Sequence, residues 1–322
     1  MSYSAYKKTI EVRYWDYWRR ELDGRLALLR EGAAEGSGPP VFRSESNDLN
    51  ILTDESDTAT SNLVVREVPR GSRHRWFGSF NSSQALAQSV FANLKHAGKL
   101  GILSGIRDED GLPIFGDGTS GVGQMTMEFP VNYLGEVESR STEVDVRFGD
   151  TYRTCVECKF TESEVGSCSR PKLRRSEPGY EKYHCDGSFS RQRGRDTRCS
   201  LTEVGIRYWE YLPPLLGWNN DRDHASCPLR TTYQLVRNVL AACVSDGGKL
   251  GLDSGHAVLL YDERNPCFRE GGAGFKAWQV LRRDLRKPQL LRLCSWQALV
   301  STLRRDAALA WLTSALHAKY GF

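Results

Sequence analysis

No apolar run in this 322-residue chain approaches the roughly 20 residues that a membrane-spanning helix needs, so a membrane protein is not expected. The stretch from Met1 to Arg20 is charged and aromatic and lacks the continuous apolar segment of a secretory signal. Charge is nearly balanced: 44 Lys and Arg face 40 Asp and Glu, for a net +4, which permits a polyanionic partner without demanding one. No internal repeat is visible, and 39% hydrophobic with 10% aromatic residues excludes wholesale disorder. Several catalytic signatures are missing as well. There is no G-x-S-x-G elbow, and the six histidines show no H-E-x-x-H spacing. The glycine-rich GDGTSGVG at 116–123 lacks the GK[ST] ending of a phosphate-binding loop and reads as a plain loop. The nine cysteines are odd in number, in a chain too large to need disulfide staples. They read as reduced thiols in a cytoplasmic protein, some of them candidate metal ligands.

What is present is a set of well-marked periodicities. Trp15, Trp18, Leu22, Leu26 and Leu29 recur at helical spacing and predict a helix over 6–30. From about 33 to 73 the chain is rich in Gly, Pro, Ser, Asp and Asn and reads as a linker or surface excursion. Ser82 and Ser83 look like caps of a helix ending near Gly98. β-runs are expected at 125–131, 142–148 and 152–160, the last two forming an antiparallel hairpin around Gly149-Asp150. Helices are expected at 202–211, stopping before Pro213-Pro214, and at 232–244, with a short strand at 257–261. From Phe275 onward two or three helices are expected.

The chemistry sits in TEVDVRFGDTYRTCVECKF, residues 142–160. Strand alternation places Val144, Val146 and Phe148 on one face of the first strand and Glu143, Asp145 and Arg147 on the other. On the second strand Val156, Cys158 and Phe160 oppose Cys155, Glu157 and Lys159. If the apolar faces pack together, Asp145, Glu157 and Lys159 converge. Two carboxylates with an ammonium beside them suit a hard divalent cation and a phosphate substrate. Alternating charges on a solvated hairpin would look the same, so the spacing alone does not decide.

Asp145 followed by Glu157-Cys158-Lys159 on the next strand resembles the signature of the PD-(D/E)XK, or restriction-endonuclease-like, nuclease superfamily, in its bacterial restriction and defence branch. The residue before Asp145 is Val144 rather than Pro. The resemblance covers roughly residues 80–265. It includes the helix opened by Ser82, Ser83 and Gln84, and YQLVRN, whose Gln234, Arg237 and Asn238 share one helix face. It implies an α/β fold, with a central mixed sheet flanked by helices and with helical elaborations at both ends. It also implies a Mg²⁺- or Mn²⁺-dependent endonuclease acting on DNA in antiviral defence, with Asp145 and Glu157 as metal ligands. Lys159 is then catalytic, Gln234 contributes from its helix, and Glu128, an acid upstream on its own strand, completes the metal shell. On that strand Met125, Met127 and Phe129 are expected to face the core. Glu162 is read as a bystander near the site and Glu143 as a neighbour of Asp145. The expected organisation is a helix and linker at 1–75, a nuclease core at 76–265 with a basic, Cys-containing insertion at about 165–228, and a helical segment at 266–322.

Cys155 and Cys158 form a C-x-x-C in letters only, because on a strand they point to opposite faces. Cys168, Cys185, Cys199 and Cys227 lie in loop-rich sequence without the short spacing of a zinc signature. They read as independent thiols or as a ligand set for Zn²⁺ or, less in keeping with the spacing, an iron–sulfur cluster, with His184 able to replace one of them. Basic segments at 169–198, including Arg191, Arg193 and Arg195, and at 281–305, including Arg282, Arg283 and Arg286, are candidate contacts to a nucleic-acid backbone. Two other readings stand beside the DNA nuclease: a catalytically silent nucleic-acid-binding protein ordered by a Cys₄ metal, and an RNA-directed nuclease. A homo-oligomer or a partner protein of a defence system is compatible with each.

Overall fold

Side-chain alternation along consecutive β-runs builds the centre of the molecule. The computed structural model describes residues 1–22, 25–119, 122–136, 143–168, 172–185, 187, 199–202, 205–218, 227 and 229–322. Strand β1 (Met125–Pro130) pairs antiparallel with β2 (Glu143–Phe148), and β2 antiparallel with β3 (Arg153–Cys158). Strands β4 (Gly255–Tyr261) and β5 (Leu291–Ser295) add in parallel beyond β3, giving a five-stranded mixed sheet in the order β1-β2-β3-β4-β5. The β2–β3 turn needs Gly149, whose φ is +73° and whose missing Cβ would overlap the carbonyl of Tyr152.

Helices cover both faces, as a sheet with parallel strands requires. One face carries Val146, Phe148, Val156, Cys158, Val258 and Leu260. Against it pack α1 (Tyr3–Glu21), α2 (Thr58–Arg66), α3 (Ser83–His96), α8 (Trp296–Leu303) and α9 (Ala310–Tyr320). The other face carries Cys155, Ala257, Leu259 and Leu291 beneath α5 (Tyr208–Leu215), α6 (Tyr233–Cys243) and α7 (Ala273–Asp284). A single turn, α4 (Tyr180–Tyr183), lies in the Cys-containing region. No helix among the described residues is long and apolar enough to cross a membrane.

The first face also buries a cation. Lys319 Nζ donates to Asn50 O at 2.6 Å and Oδ1 at 2.8 Å and lies 4.6 Å from the centre of the Phe80 ring. Burial, with no carboxylate against the ammonium among the described residues, holds its pKa down to about 7.

Four expectations change. The first helix ends at Glu21, and Leu29 is buried through a bridge to Phe42 instead of along a helical stripe. The stretch 33–73 is packed rather than a linker: Phe42, Ile51, Leu52, Val64 and Val68 are buried there. Its polar residues act as ties, as where Asn50 Nδ2 donates to Phe77 O at 2.6 Å and Ser79 O at 2.8 Å. Helix α5 begins at Tyr208 and contains Pro213 and Pro214 instead of stopping before them. The segment after Phe275 holds a strand, β5, which leads directly into α8 through the Ser295 cap.

Candidate active site

Strands β2 and β3 pair from Phe148↔Thr154 to Val146↔Val156 and then separate before Asp145 and Glu157. The Asp145 carboxylate fills the opening: its Oδ2 accepts the backbone N–H of Cys158 at 2.6 Å. Glu157 points to the face covered by α6. Its Oε1 lies 2.8 Å from Lys159 Nζ, and its Oε2 accepts from Asn238 Nδ2 at 2.7 Å and sits 3.5 Å from Arg237 Nη2. Lys159 also donates to Gln234 Oε1 at 2.9 Å. Gln234, Arg237 and Asn238, spaced i, i+3 and i+4 on α6, therefore all reach this cluster. Gly166, at φ +91°, leaves room for Gln234, because a Cβ there would overlap its amide. The Lys159 backbone is clamped between Leu260 O, 2.7 Å from its N–H, and Trp296 Nε1, 3.0 Å from its carbonyl.

Glu157 and Lys159 are 2% and 7% exposed, so their charges interact in a low dielectric. Burial pushes the Asp145 carboxyl up to about 7, and the Glu157 charge adds to that shift, against Lys159 and Arg237. Burial also disfavours the Glu157 carboxylate, but Lys159, Arg237 and the Asn238 amide outweigh it and hold the group below its ordinary range. For Lys159 burial works against the ammonium, and Glu157, Glu162 and Asp145 overcome it and raise the pKa. The carboxylates around it thus favour the ammonium form of this lysine.

Glu128 stands across from Asp145 in the β1–β2 register, where the ladder skips one pair. Its φ of +48° breaks the alternation of β1. Met127 packs on the first face, but Phe129 packs on the second, contrary to the expectation that both share the core. Val144 shifts in the same way relative to Val146. Burial, then the nearby Asp145 charge, pushes the Glu128 carboxyl up to about 9, while the Gln84 amide beside it favours the charged form. Glu128 does not complete a three-ligand set: among the described residues no three His, Cys, Asp or Glu side chains meet in a way that could hold a metal.

That statement covers the four cysteines as well. Cys185 and Cys199 are buried and Cys168 and Cys227 half-buried. Burial pushes the Cys227 thiol up to about 12, with smaller contributions from Cys199, Cys168 and Cys185. Cys155 and Cys158 lie in the cores of opposite sheet faces. Glu162 is more than a bystander in position: it accepts from Ser83 Oγ at 2.7 Å and Phe160 N at 2.6 Å and adds to the field on Lys159.

The basic stretch 281–305 is largely engaged within the fold. Lys287 Nζ lies 2.5 Å from Asp253, and Arg282 pairs with Asp110 at 2.5 Å. Arg292 is buried, bonded to Pro113 O and Tyr152. Arg170, Arg191, Arg193, Arg195 and Arg198 lie outside the described residues. Arg237 and Asn238 were not singled out as site residues from sequence; their helix-face spacing with Gln234 was the signal that placed them.

A mixed sheet that opens between two carboxylate-bearing strands, with an ammonium held against one of the acids, belongs here to a restriction endonuclease family. The chain is a member of the family described as Restriction Endonuclease associating with ARP, whose model matches residues 42–321. No curated protein and no solved structure matches it.

Proposed function

We propose that this protein is a metal-dependent nuclease of the PD-(D/E)XK superfamily that hydrolyses phosphodiester bonds of DNA. One observation carries the reading: Asp145 and Glu157 share a buried recess with the Lys159 ammonium, 2.8 Å from Glu157. Membership of a restriction endonuclease family supports DNA as the substrate and a restriction or antiphage role alongside ARP.

The donor set suits a hard divalent cation. Asp145 and Glu157 repel each other in a buried place, and Mg²⁺ characteristically takes one or two carboxylates and completes its shell with substrate phosphate and water. Asp145 and Glu157 would hold Mg²⁺ or Mn²⁺, with Glu128 alongside. When bound, the ion supplies Lewis-acid charge and lowers the pKa of water. Lys159 stays protonated, orients a non-bridging phosphate oxygen and stabilises the negative charge that develops on it. Gln234 and Glu157 hold that ammonium in place. In the reaction the oxygen of water bonds to phosphorus and gives up a proton to solvent, the bond from phosphorus to the leaving oxygen breaks, and that oxygen takes up a proton from solvent in return.

The test is incubation of the protein with plasmid DNA and Mg²⁺, with and without EDTA, beside an RNA of similar length. Cleavage of DNA that EDTA abolishes is expected. Binding without cleavage under every metal tried would favour a silent nucleic-acid-binding protein, and cleavage confined to RNA would move the substrate.

A further inference from the structure

On the loop that leads into α3 lies an aromatic ring that the fold leaves open. Trp76 is 45% exposed. The Arg30 guanidinium stands 5.1 Å from its ring centre and that of Arg75 5.3 Å. Nearby Arg70 and Arg73 both pair with Asp48, and Glu67 is taken by Lys95 and His96. Arg30 and Arg75 make no ion pair with a carboxylate among the described residues.

The triad is held in place by backbone pairing. Arg30 N donates to Val41 O at 2.9 Å, Phe42 N to Gly78 O at 2.9 Å, and Arg30 Nη2 to Arg75 O at 3.3 Å. The same loop is tied to the carboxylates. Trp76 N lies 3.3 Å from His74 Nδ1, and His74 N donates to Gln84 Oε1 at 2.8 Å. The Gln84 side chain sits beside Glu128, which faces Asp145.

The geometry points to Trp76, flanked by Arg30 and Arg75, as a stacking platform for an unpaired base of the DNA strand entering the carboxylate cluster. This rests on the nuclease reading above. An indole stacks on any base, and its strength as a platform does not depend on sequence. A surface contact to a guanidinium is weak, so a base can displace one arginine from the ring and leave it to turn onto the adjacent phosphate. Two cations with no carboxylate paired to them among the described residues call for an anion, which an apolar protein partner would not supply. A duplex keeps its bases stacked on one another, so the ring favours a single strand or a melted end.

The experiment compares wild type, Trp76→Ala, Trp76→Phe and the double variant Arg30→Ala/Arg75→Ala. Binding of labelled oligodeoxythymidine and of a duplex of equal length is followed by fluorescence anisotropy in EDTA, across a salt series. Trp76→Ala is expected to weaken single-strand binding about tenfold or more, with a smaller effect on duplex, and Trp76→Phe to retain most of the affinity. The double arginine variant should flatten the single-strand salt dependence by about 1.4 in log–log slope. The inference is overturned if Trp76→Ala leaves single-strand affinity unchanged, or weakens duplex equally. An unchanged salt slope in the double variant would likewise overturn it. A wild type that neither binds nor cuts DNA would instead sink the nuclease reading itself, which separates the two failures.

Discussion

Lys159 Nζ donates to Gln234 Oε1 at 2.9 Å, joining the end of β3 to α6 across 75 positions of chain. The same ammonium lies 2.8 Å from Glu157, so one cation is oriented from the sheet and from the helix above it. Its field is aimed by two elements that pack into the same core.

Removing that charge should affect chemistry and not affinity. Lys159→Met keeps most of the aliphatic stem and is expected to slow plasmid cleavage by about 10²–10³, the scale of losing one preorganised donor. DNA affinity measured in EDTA should barely move, because it derives from many phosphate contacts. Cleavage at the wild-type rate under matched Mg²⁺ would remove Lys159 from the mechanism.

Gly166 is the place to disturb Gln234 without touching it. At φ +91° a side chain is strained, and a Cβ would overlap the Gln234 amide. Gly166→Ala is expected to lower stability by about 1–3 kcal/mol in urea titration and to reduce cleavage of the variant that remains folded. Full stability and activity would show that the Lys159–Gln234 contact can be given up.

Asp145→Asn separates the ligand role from the structural one. The amide oxygen can still accept the Cys158 N–H, while the repulsion with Glu157 disappears. The variant should melt no lower than the wild type at pH 7.5 and should cut no plasmid. A marked loss of stability would mean that the negative charge itself holds β2 to β3.

Lys319 predicts a pH dependence unrelated to cleavage. Its pKa is about 7 when folded, against about 10.4 in an unfolded chain. Between those values the unfolded chain binds a proton that the folded chain lacks, so stability contributed by this group rises with pH. Below pH 7 the buried ammonium costs on the order of 4 kcal/mol by the same shift. The stability difference between Lys319→Met and wild type, measured by urea unfolding, should therefore favour the variant most near pH 6 and shrink toward pH 9. A difference independent of pH would show that the ammonium stays charged in the core.

The residues that cluster were legible because they obey short-range rules. The glycine turn pairs β2 with β3 and so brings Asp145 toward Glu157, and three-to-four spacing turns Gln234, Arg237 and Asn238 to one side. What escaped depends on distant partners. The five residues of β5 sit between helices and include Arg292, which reads as a solvated cation until Pro113 and Tyr152 come to meet it. The stretch 33–73 looks like linker because its Asn and Ser residues resemble turn formers, yet Asn50 is satisfied inside the core. The reversal at Glu128 follows from a backbone conformation that no side-chain pattern announces.

The clamp on Lys159 also bears on the stage of synthesis at which the site can be assembled. Its backbone is fixed by Leu260 and Trp296, its ammonium by Gln234, and its partner Glu157 by Asn238. All of these emerge from the ribosome long after β3, and contacts so distant in sequence form late in folding. A half-made chain therefore holds the acids and the lysine but not their arrangement, and in the nuclease proposed here the ability to cut would arrive only once α6, β4 and α8 have been made.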